Sequence, residues 1–277
     1  MKNSIFKIAT MIAFLFGVAM VFTQCEANQS EMNSLDNLAV QGRNQVQINV
    51  DPCTCLAQNF PYEALTQEEK DALTFMLEEE KVARDVYAKM AEFWNMQVFT
   101  NINKSEQKHM DAIACLMEKY DLELAGFDNT IGVFLNPDLQ KAYDDLLAKG
   151  ANSVVDALEV GAFIEDLDII DLMSNYDRID NADITAVFEN LERGSRNHMR
   201  AFVNMLDRYN ETYTPQFITQ EYFDYIISTA KEKGEGICDN CTNNGNGTCP
   251  NDGPNNPNNG PNNGPNGPGR GNGRNGG

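Results

Sequence analysis

The fold is decided by residues 66–94, which read TQEEKDALTFMLEEEKVARDVYAKMAEFW. Thr66 followed three positions later by Glu69 predicts a capping box, in which each side chain binds the other residue's backbone amide and starts a helix. Behind it, alternating steps of three and four carry Leu73, Met76, Glu80, Ala83, Tyr87, Met90 and Trp94. This spacing predicts one inward face of a long helix, with Glu80 as its acidic member.

The same spacing recurs on three further segments. The second carries Ile102, Glu106, His109, Ile113, Leu116 and Tyr120. The third carries Val154, Leu158, Gly161, Glu165, Asp168 and Leu172. The fourth carries Ile184, Phe188, Leu191, Ser195, His198, Phe202, Met205 and Tyr209. Four such helices in succession predict an all-α four-helix bundle. Extra short helices are expected over 137–149, ended by Gly150, and from Thr219 to Lys231, and no segment alternates like a strand.

The predicted bundle spans residues 62–232 and lies between two segments of different composition. Residues 26–61 are polar and weakly patterned, and they are predicted to be a tether. Residues 233–277 consist of Asn, Gly and Pro with little else, so they cannot bury a core and are predicted to be disordered. The net charge of −20 argues against binding to nucleic acid, which requires a basic surface.

Residues 1–25 are typical of a secretory signal, with a basic start and an apolar run over 8–22. The end at Cys25 resembles a bacterial lipoprotein signal, in which that cysteine is acylated, although Gln24 stands where the pattern has a small residue. Cleavage after Ala27 and retention as a single membrane helix are the alternatives. We therefore expect an exported protein of the bacterial cell envelope or periplasm, which meets the membrane only through a lipid on Cys25.

Export implies an oxidising compartment, in which cysteines pair. Five cysteines flank the helical domain: Cys53, Cys55, Cys238, Cys241 and Cys249. Their mixed spacing favours disulfides that tie the two ends of the domain rather than a metal-binding cysteine cluster. Which cysteines pair is left open. Cys115 lies one step off the inward face of the second helix and is predicted to be a buried small hydrophobic residue.

The polar residues on the four helix faces are few, and they fall near the middle of each helix. Antiparallel packing would bring them to one level. Burying four carboxylates together without cations would cost several kcal/mol each, and two divalent cations remove that problem. Two imidazoles with hard oxygen ligands suit iron or manganese better than a closed zinc site. The predicted metal ligands are Glu80, Glu106, His109, Glu165, Asp168 and His198.

Several motifs resemble those of known families. Residues 80–87, EKVARDVY, look like the first-helix motif of rubrerythrins, and Glu106 with His109 looks like the second-helix ligand pair of the ferritin-like superfamily. More closely, the chain resembles an uncharacterised ferritin-like family of bacteria and archaea, the domain of unknown function 2202, over residues 62–228. The stretches that carry this resemblance are 78–87, 105–109, 164–172 and 193–198. The resemblance implies a ferritin-like antiparallel four-helix bundle.

One position departs from the wider superfamily. Where the fourth helix of the superfamily has Glu three positions before its histidine, this chain has Ser195. We expect Asp168, one turn beyond Glu165, to supply the missing carboxylate. The other consequences of Ser195 are a mononuclear site or no site.

Simple structural alternatives stand beside the metal hypothesis. Glu165 and Asp168 could belong to a solvated acidic stripe, and Arg84 could neutralise Glu80 one turn away without any metal. Residues 78–79, both glutamates, are predicted to lie on the surface.

Three polar side chains are candidates for supporting roles. Tyr87 and Tyr120 are expected to be core aromatics, and the Tyr87 hydroxyl could also bind a ligand carboxylate. Ser195 could do the same.

The resemblance implies a non-haem metal-binding protein with two iron or manganese ions, and the predicted signal over residues 1–25 implies that it is exported. Its chemistry would be activation of oxygen or peroxide, or oxidation of ferrous iron, as in a ferritin-like oxidoreductase. The chain lacks a convincing rubredoxin centre for electron delivery, and its tail and anchor argue against a storage cage. The rival is a non-catalytic exported helical module for surface interaction, metal-free or with a structural metal, which Ser195 favours. The expected partners are metal ions and, as one option, a second copy in a homodimer.

Overall fold

The computed structural model describes residues 52–233, and every structural statement concerns this part of the chain. Within it the chain forms seven helices and no strand. They are α1 (Pro52–Asn59), α2 (Gln67–Trp94), α3 (Gln97–Lys119), α4 (Pro137–Gly150), α5 (Val154–Asn175), α6 (Ala182–Arg208) and α7 (Gln220–Ser228). The predicted all-helical class is confirmed. The predicted signal over 1–25, the first part of the tether and the tail beyond residue 233 lie outside the described residues.

Helix α2 begins as its sequence predicts. The Glu69 amide donates to the Thr66 hydroxyl at 3.2 Å, and the Thr66 amide donates to the Glu69 carboxylate at 2.9 Å. The other carboxylate oxygen of Glu69 accepts from the amide of Asn181, which ties this end of α2 to the start of α6. Asn95 ends α2 in the left-handed conformation, with φ 49°, so that α3 turns back along α2 at once.

The four long helices pack in antiparallel neighbours around two apolar clusters. Helix α2 lies along α3 and α5 lies along α6, while contacts between α3 and α6 and between α2 and α5 complete the core. Helix α4 packs on α2 and α5, α1 packs on α3, and α7 packs on α6. One cluster includes Tyr87 and Phe202, and the other includes Met76 and Phe188. The residues between the two clusters form the polar layer that holds the candidate site.

The C-terminal end of the predicted tether belongs to the fold. Residues 52–59 form α1, and Cys55 and Leu56 are completely buried against the domain. A two-turn helix is too short for its periodicity to stand out in the sequence, because isolated helices of this length are unstable without tertiary packing. The helical domain therefore begins about ten residues earlier than the sequence indicated.

A disulfide joins Cys53 of α1 to Cys115 of α3. The prediction that Cys115 is a free buried hydrophobic residue was therefore wrong, although the side chain is buried. Cys55 is also disulfide-bonded. The predicted tie between the two ends of the domain was therefore wrong for Cys53. It stays a prediction for Cys55 and for Cys238, Cys241 and Cys249, which lie outside the described residues.

None of the helices in the described range is both long and apolar enough to cross a membrane.

Candidate metal centre

Five of the six predicted ligands meet in the polar layer. They form two groups, Glu80 with Glu106 and His109, and Glu106 with Glu165 and His198, and within each group the potential ligand atoms lie within 4.8 Å of one another. Helices α2, α3, α5 and α6 all contribute, and all five side chains are buried. Residues far apart in sequence thus converge at one level because each lies near the middle of an inward helix face.

Glu106 is the shared member and lies between the two histidines. One of its carboxylate oxygens, Oε2, lies 2.7 Å from Nδ1 of His109, and the other, Oε1, lies 2.8 Å from Nδ1 of His198. Glu80 flanks the first histidine with an oxygen 3.1 Å from Nδ1. Glu165 flanks the second with an oxygen 3.4 Å from Nδ1. Each imidazole therefore presents the same nitrogen to two carboxylates.

Several of these atoms are buried without a hydrogen bond to any described residue. They are Glu80 Oε1, Glu106 Oε1, Glu165 Oε2 and His198 Nδ1. The 2.8 Å approach of His198 to Glu106 is thus close but does not have hydrogen-bond geometry. Buried polar atoms are nearly always satisfied in folded proteins. Nitrogen and carboxylate oxygen atoms that lie together without satisfying one another fit a shared cation, so the residues present are a suitable ligand set.

The electrostatics of the layer depend on burial and on the balance of charge. Burial raises the pKa of Glu80 to about 7, although the charge of His109 opposes it. Burial also acts to raise the pKa of Glu106, but the charges of His198 and His109 hold it well below its usual value. Burial opposes the charge of His198, yet Glu106 and Glu165 raise its pKa to about 10. Without a metal, protons on the imidazoles supply the positive charge that the carboxylates require.

Tyr87 supports one of the carboxylates. Its hydroxyl donates a 2.5 Å hydrogen bond to Oε1 of Glu165, and its ring is completely buried. This leaves the other oxygen of Glu165 facing His198. The supporting role suggested for Tyr87 is thus present in the geometry. Tyr120 is buried as expected, and its hydroxyl binds Asp183.

Ser195 supports no ligand in the described part of the chain. Its hydroxyl donates to the backbone carbonyl of Leu191, in its own helix, at 3.2 Å. The neighbouring residue, Gly194, matters more. A Cβ atom at Gly194 would lie 2.5 Å from Nε2 of His109, so any side chain at this position would force the imidazole or α6 to move. Sequence alone did not single out Gly194, because a glycine inside a helix has no pattern that reveals what it contacts.

Asp168 lies in the same region but belongs to neither ligand group among the described residues. It is buried, and its Oδ2 has no hydrogen bond within the described part. Burial raises its pKa well above the usual value, and the carboxylates of Glu79 and Glu80 add to the effect. His198 is matched by Glu106 and Glu165 rather than by Asp168. Because Glu165 and Asp168 are both buried, the alternative of a solvated acidic stripe was wrong.

Two further expectations for α2 were wrong. Glu78 and Glu79 are buried rather than on the surface. Glu78 accepts a 2.6 Å hydrogen bond from the amide of Leu135, because the loop before α4 folds over this face. Arg84 does not neutralise Glu80. It pairs with Asp85 instead, with 2.7 Å between Nη2 and Oδ1.

Comparison with known proteins shows the family to which this chain is similar. The family described as "Uncharacterized protein domain (DUF2202)" matches residues 69–230. The chain is 51% identical over 176 residues to "Uncharacterized protein MJ0754" of Methanocaldococcus jannaschii, which covers 64% of this chain and 95% of that protein. The crystal structure of hypothetical protein MJ0754 from Methanococcus jannaschii DSM 2661 matches with a TM-score of 0.61 at 51% identity, over 62% of this chain and 98% of that one. Neither name states a function.

Proposed function

This chain belongs to the DUF2202 family of uncharacterized domains, and we propose that it is a ferritin-like four-helix bundle that binds two non-haem metal ions, iron or manganese. The antiparallel packing of the four long helices supports the bundle. So does the long connection between α3 and α5, which contains α4, because ferritin-like bundles have one long crossover at this point.

One observation carries the proposal, which is the pair of ligand groups that share Glu106 and contain buried atoms without hydrogen bonds. In this arrangement Glu80, Glu106 and His109 would hold one ion, and Glu106, Glu165 and His198 would hold the other, with Glu106 common to both groups. Carboxylate oxygen with imidazole nitrogen favours iron or manganese.

When bound, such an ion pair supplies redox chemistry towards oxygen, peroxide or ferrous iron. The chain's own residues prepare the site for it. Tyr87 fixes one oxygen of Glu165, so that the other stays directed at His198. His109 and His198 must release their protons before they can coordinate a cation, so binding releases protons. Apolar clusters lie on either side of the layer.

We further propose that the protein acts outside the cytoplasm, in the bacterial cell envelope, with a lipid on Cys25 as its membrane anchor. The basic and apolar residues of the first 25 positions support export. The disulfide between Cys53 and Cys115 is consistent with an oxidising compartment.

Elemental analysis of the purified full chain tests the metal proposal. After reconstitution and removal of loosely bound metal, we expect about two iron or manganese ions per chain, in keeping with two ligand groups, and loss of both in His109→Ala/His198→Ala. The matched control is Asp111→Ala/Asn204→Ala, which changes exposed positions on the same two helices and keeps both ions. Equal metal content in the histidine variant and the control would refute the proposal.

A second candidate function is a non-catalytic exported module with a structural metal or none. The bond of Ser195 to its own helix favours it, because the fourth helix then offers one ligand fewer than a symmetric site needs. Consumption of hydrogen peroxide, or oxidation of ferrous iron, by the reconstituted chain separates the two candidates. Turnover that disappears in His109→Ala/His198→Ala supports the oxidoreductase, and tight metal binding without turnover supports the module.

A further inference from the structure

A second group of buried acids lies beside the candidate metal centre but outside it. Glu79 comes from α2, and Asp168 and Asp171 lie one turn apart on the facing side of α5. All three are buried, with Glu79 only 3% exposed. The proposed centre already has the carboxylates of Glu80, Glu106 and Glu165, so these three acids add negative charge that two ions do not require.

Glu79 lies beside another carboxyl group, that of Asp171, and no described residue forms an ion pair with it. Neither of its carboxylate oxygens has a hydrogen bond to a described residue, and the same holds for Oδ2 of Asp168. A buried carboxylate in such surroundings requires either a proton or a cation.

The neighbouring cationic side chains of α2 are engaged elsewhere. The ammonium of Lys81 lies 2.7 Å from Asp85 and also donates to the carbonyls of Thr130 and Val133. Arg84 binds the same aspartate. Both therefore hold the loop before α4, on a different face of the helix from Glu79.

A small cavity adjoins these acids. It lies beneath α4, has a volume of about 20 Å³, and is lined by Glu79 and Asp168 together with apolar residues such as Val82 and Leu139. This volume accommodates one water-sized group. Apart from the two carboxylates its lining is apolar, so both carboxylates face a space that offers them no donor from a side chain.

We propose that Glu79 and Asp168, with Asp171 beside them, form a third cation position, separate from the dinuclear centre, that takes a hard divalent ion such as Mn²⁺. Its ligands would all be oxygen atoms, which such ions prefer. The three acids do not converge as closely as the two ligand groups of the centre do, so binding is weaker. This position does not depend on the function proposed for the centre.

Titration of the metal-free full chain with Mn²⁺ tests this, followed by calorimetry and electron paramagnetic resonance. We expect three ions in the wild type, two in Glu79→Gln and one in His109→Ala/His198→Ala. The variant that combines all three substitutions binds none. Glu92→Gln, an exposed position on the same helix, is the matched control and keeps three ions.

The two proposals can fail separately. If Glu79→Gln binds as many ions as the wild type with unchanged affinities, Glu79 is held by a proton and the third position is refuted. If the wild type binds a single ion that depends on Glu79 and not on the histidines, the third position stands and the dinuclear centre is refuted. Glu79→Gln is nearly isosteric and removes a buried charge, so its melting temperature without metal should equal or exceed that of the wild type, which shows that it folds.

Discussion

The imidazole rings of His109 and His198 lie stacked, with ring centroids 5.6 Å apart and an angle of 25° between their planes. Two charged imidazoles at this distance repel each other, and the carboxylate of Glu106, within 2.8 Å of both Nδ1 atoms, offsets that repulsion. The pair of histidines therefore depends on one glutamate. The shared glutamate therefore matters more to the site than either flanking acid, Glu80 or Glu165.

Removal of Glu106 should affect the site more than removal of either flanking acid. Glu106→Ala takes a ligand from both groups, so we expect both metal ions to be lost, whereas Glu80→Ala should lose one. Elemental analysis of the reconstituted variants measures this directly. Glu118→Ala, an exposed position on the same helix as Glu106, serves as the control. Equal losses in Glu106→Ala and Glu80→Ala would contradict the shared role.

Tyr87→Phe should weaken metal binding while the fold is kept. The substitution removes the 2.5 Å hydrogen bond to Glu165, which then loses its fixed orientation towards His198. Loss of such a supporting contact lowers metal affinity by about tenfold to a hundredfold. Calorimetric titration with Mn²⁺ provides the affinity, with Tyr225→Phe in α7 as the control. An affinity equal to that of the wild type would show that Glu165 needs no such support.

Gly194→Ala should disturb His109 through direct overlap. The added methyl group would lie 2.5 Å from Nε2, so the imidazole or the helix must move. Overpacking of this kind costs about 1–3 kcal/mol of unfolding free energy. If the effect acts through the imidazole, it should vanish in a His109→Ala background, where alanine in place of glycine should stabilise the helix by about 1 kcal/mol. Urea denaturation of the four proteins completes this double-mutant cycle, and an unchanged penalty in the His109→Ala background would disprove the mechanism.

The metal-free protein should lose stability as the pH rises. The pKa of His198 is about 10 in the folded chain, against an ordinary value of 6.5. The stability that its bound proton contributes to the fold is therefore complete below pH 6.5 and is lost as the pH rises to about 10. Burial raises the pKa of Glu80 to about 7, against an ordinary value of 4.5. The folded chain therefore also loses stability between pH 4.5 and 7, as this carboxyl group gives up its proton. Within its pH range, each of these two groups lowers the unfolding free energy by on the order of 1 kcal/mol per pH unit.

Thermal melts in a chelating buffer, from about pH 6 to about pH 9, test the expected decline in stability with rising pH. A melting temperature that stays flat or rises over this range would contradict it. Added Mn²⁺ should oppose the decline, because the ion replaces the protons and binds more tightly as they leave. The variant Glu80→Gln/His198→Gln should show a weaker decline than the wild type, since it lacks two of the groups responsible.

Removal of the disulfide should destabilise the domain. The cross-link joins positions 62 residues apart and attaches α1 to α3, so Cys53→Ala/Cys115→Ala should lower the unfolding free energy by about 4 kcal/mol. The double substitution avoids a free thiol. Chemical denaturation measures the loss, and a change below about 0.5 kcal/mol would show that α1 is held by packing alone.

Much of this protein follows from local pattern. Alternating steps of three and four identify the inward face of a helix from the sequence, because helical periodicity is fixed by backbone geometry. The capping residue Thr66 and the faces that carry Glu80, Glu106, His109 and His198 were predictable for this reason. So was the convergence of those residues at one level, since each falls near the middle of its helix.

Other features were decided only by tertiary structure. The burial of Glu79 depends on α4 and α5, which cover a side of α2 that looks solvated in the sequence. Pairing of Cys53 with Cys115 depends on where α1 docks. The choice of Glu165 over Asp168 as the neighbour of His198, one turn apart on one helix, depends on the rotation and height of α5 against α6. The sequence by itself determined the four long helices and their inward residues, because these follow from short-range spacing. Only the packed chain decided which of those residues touch, because contact depends on how whole helices are placed against one another.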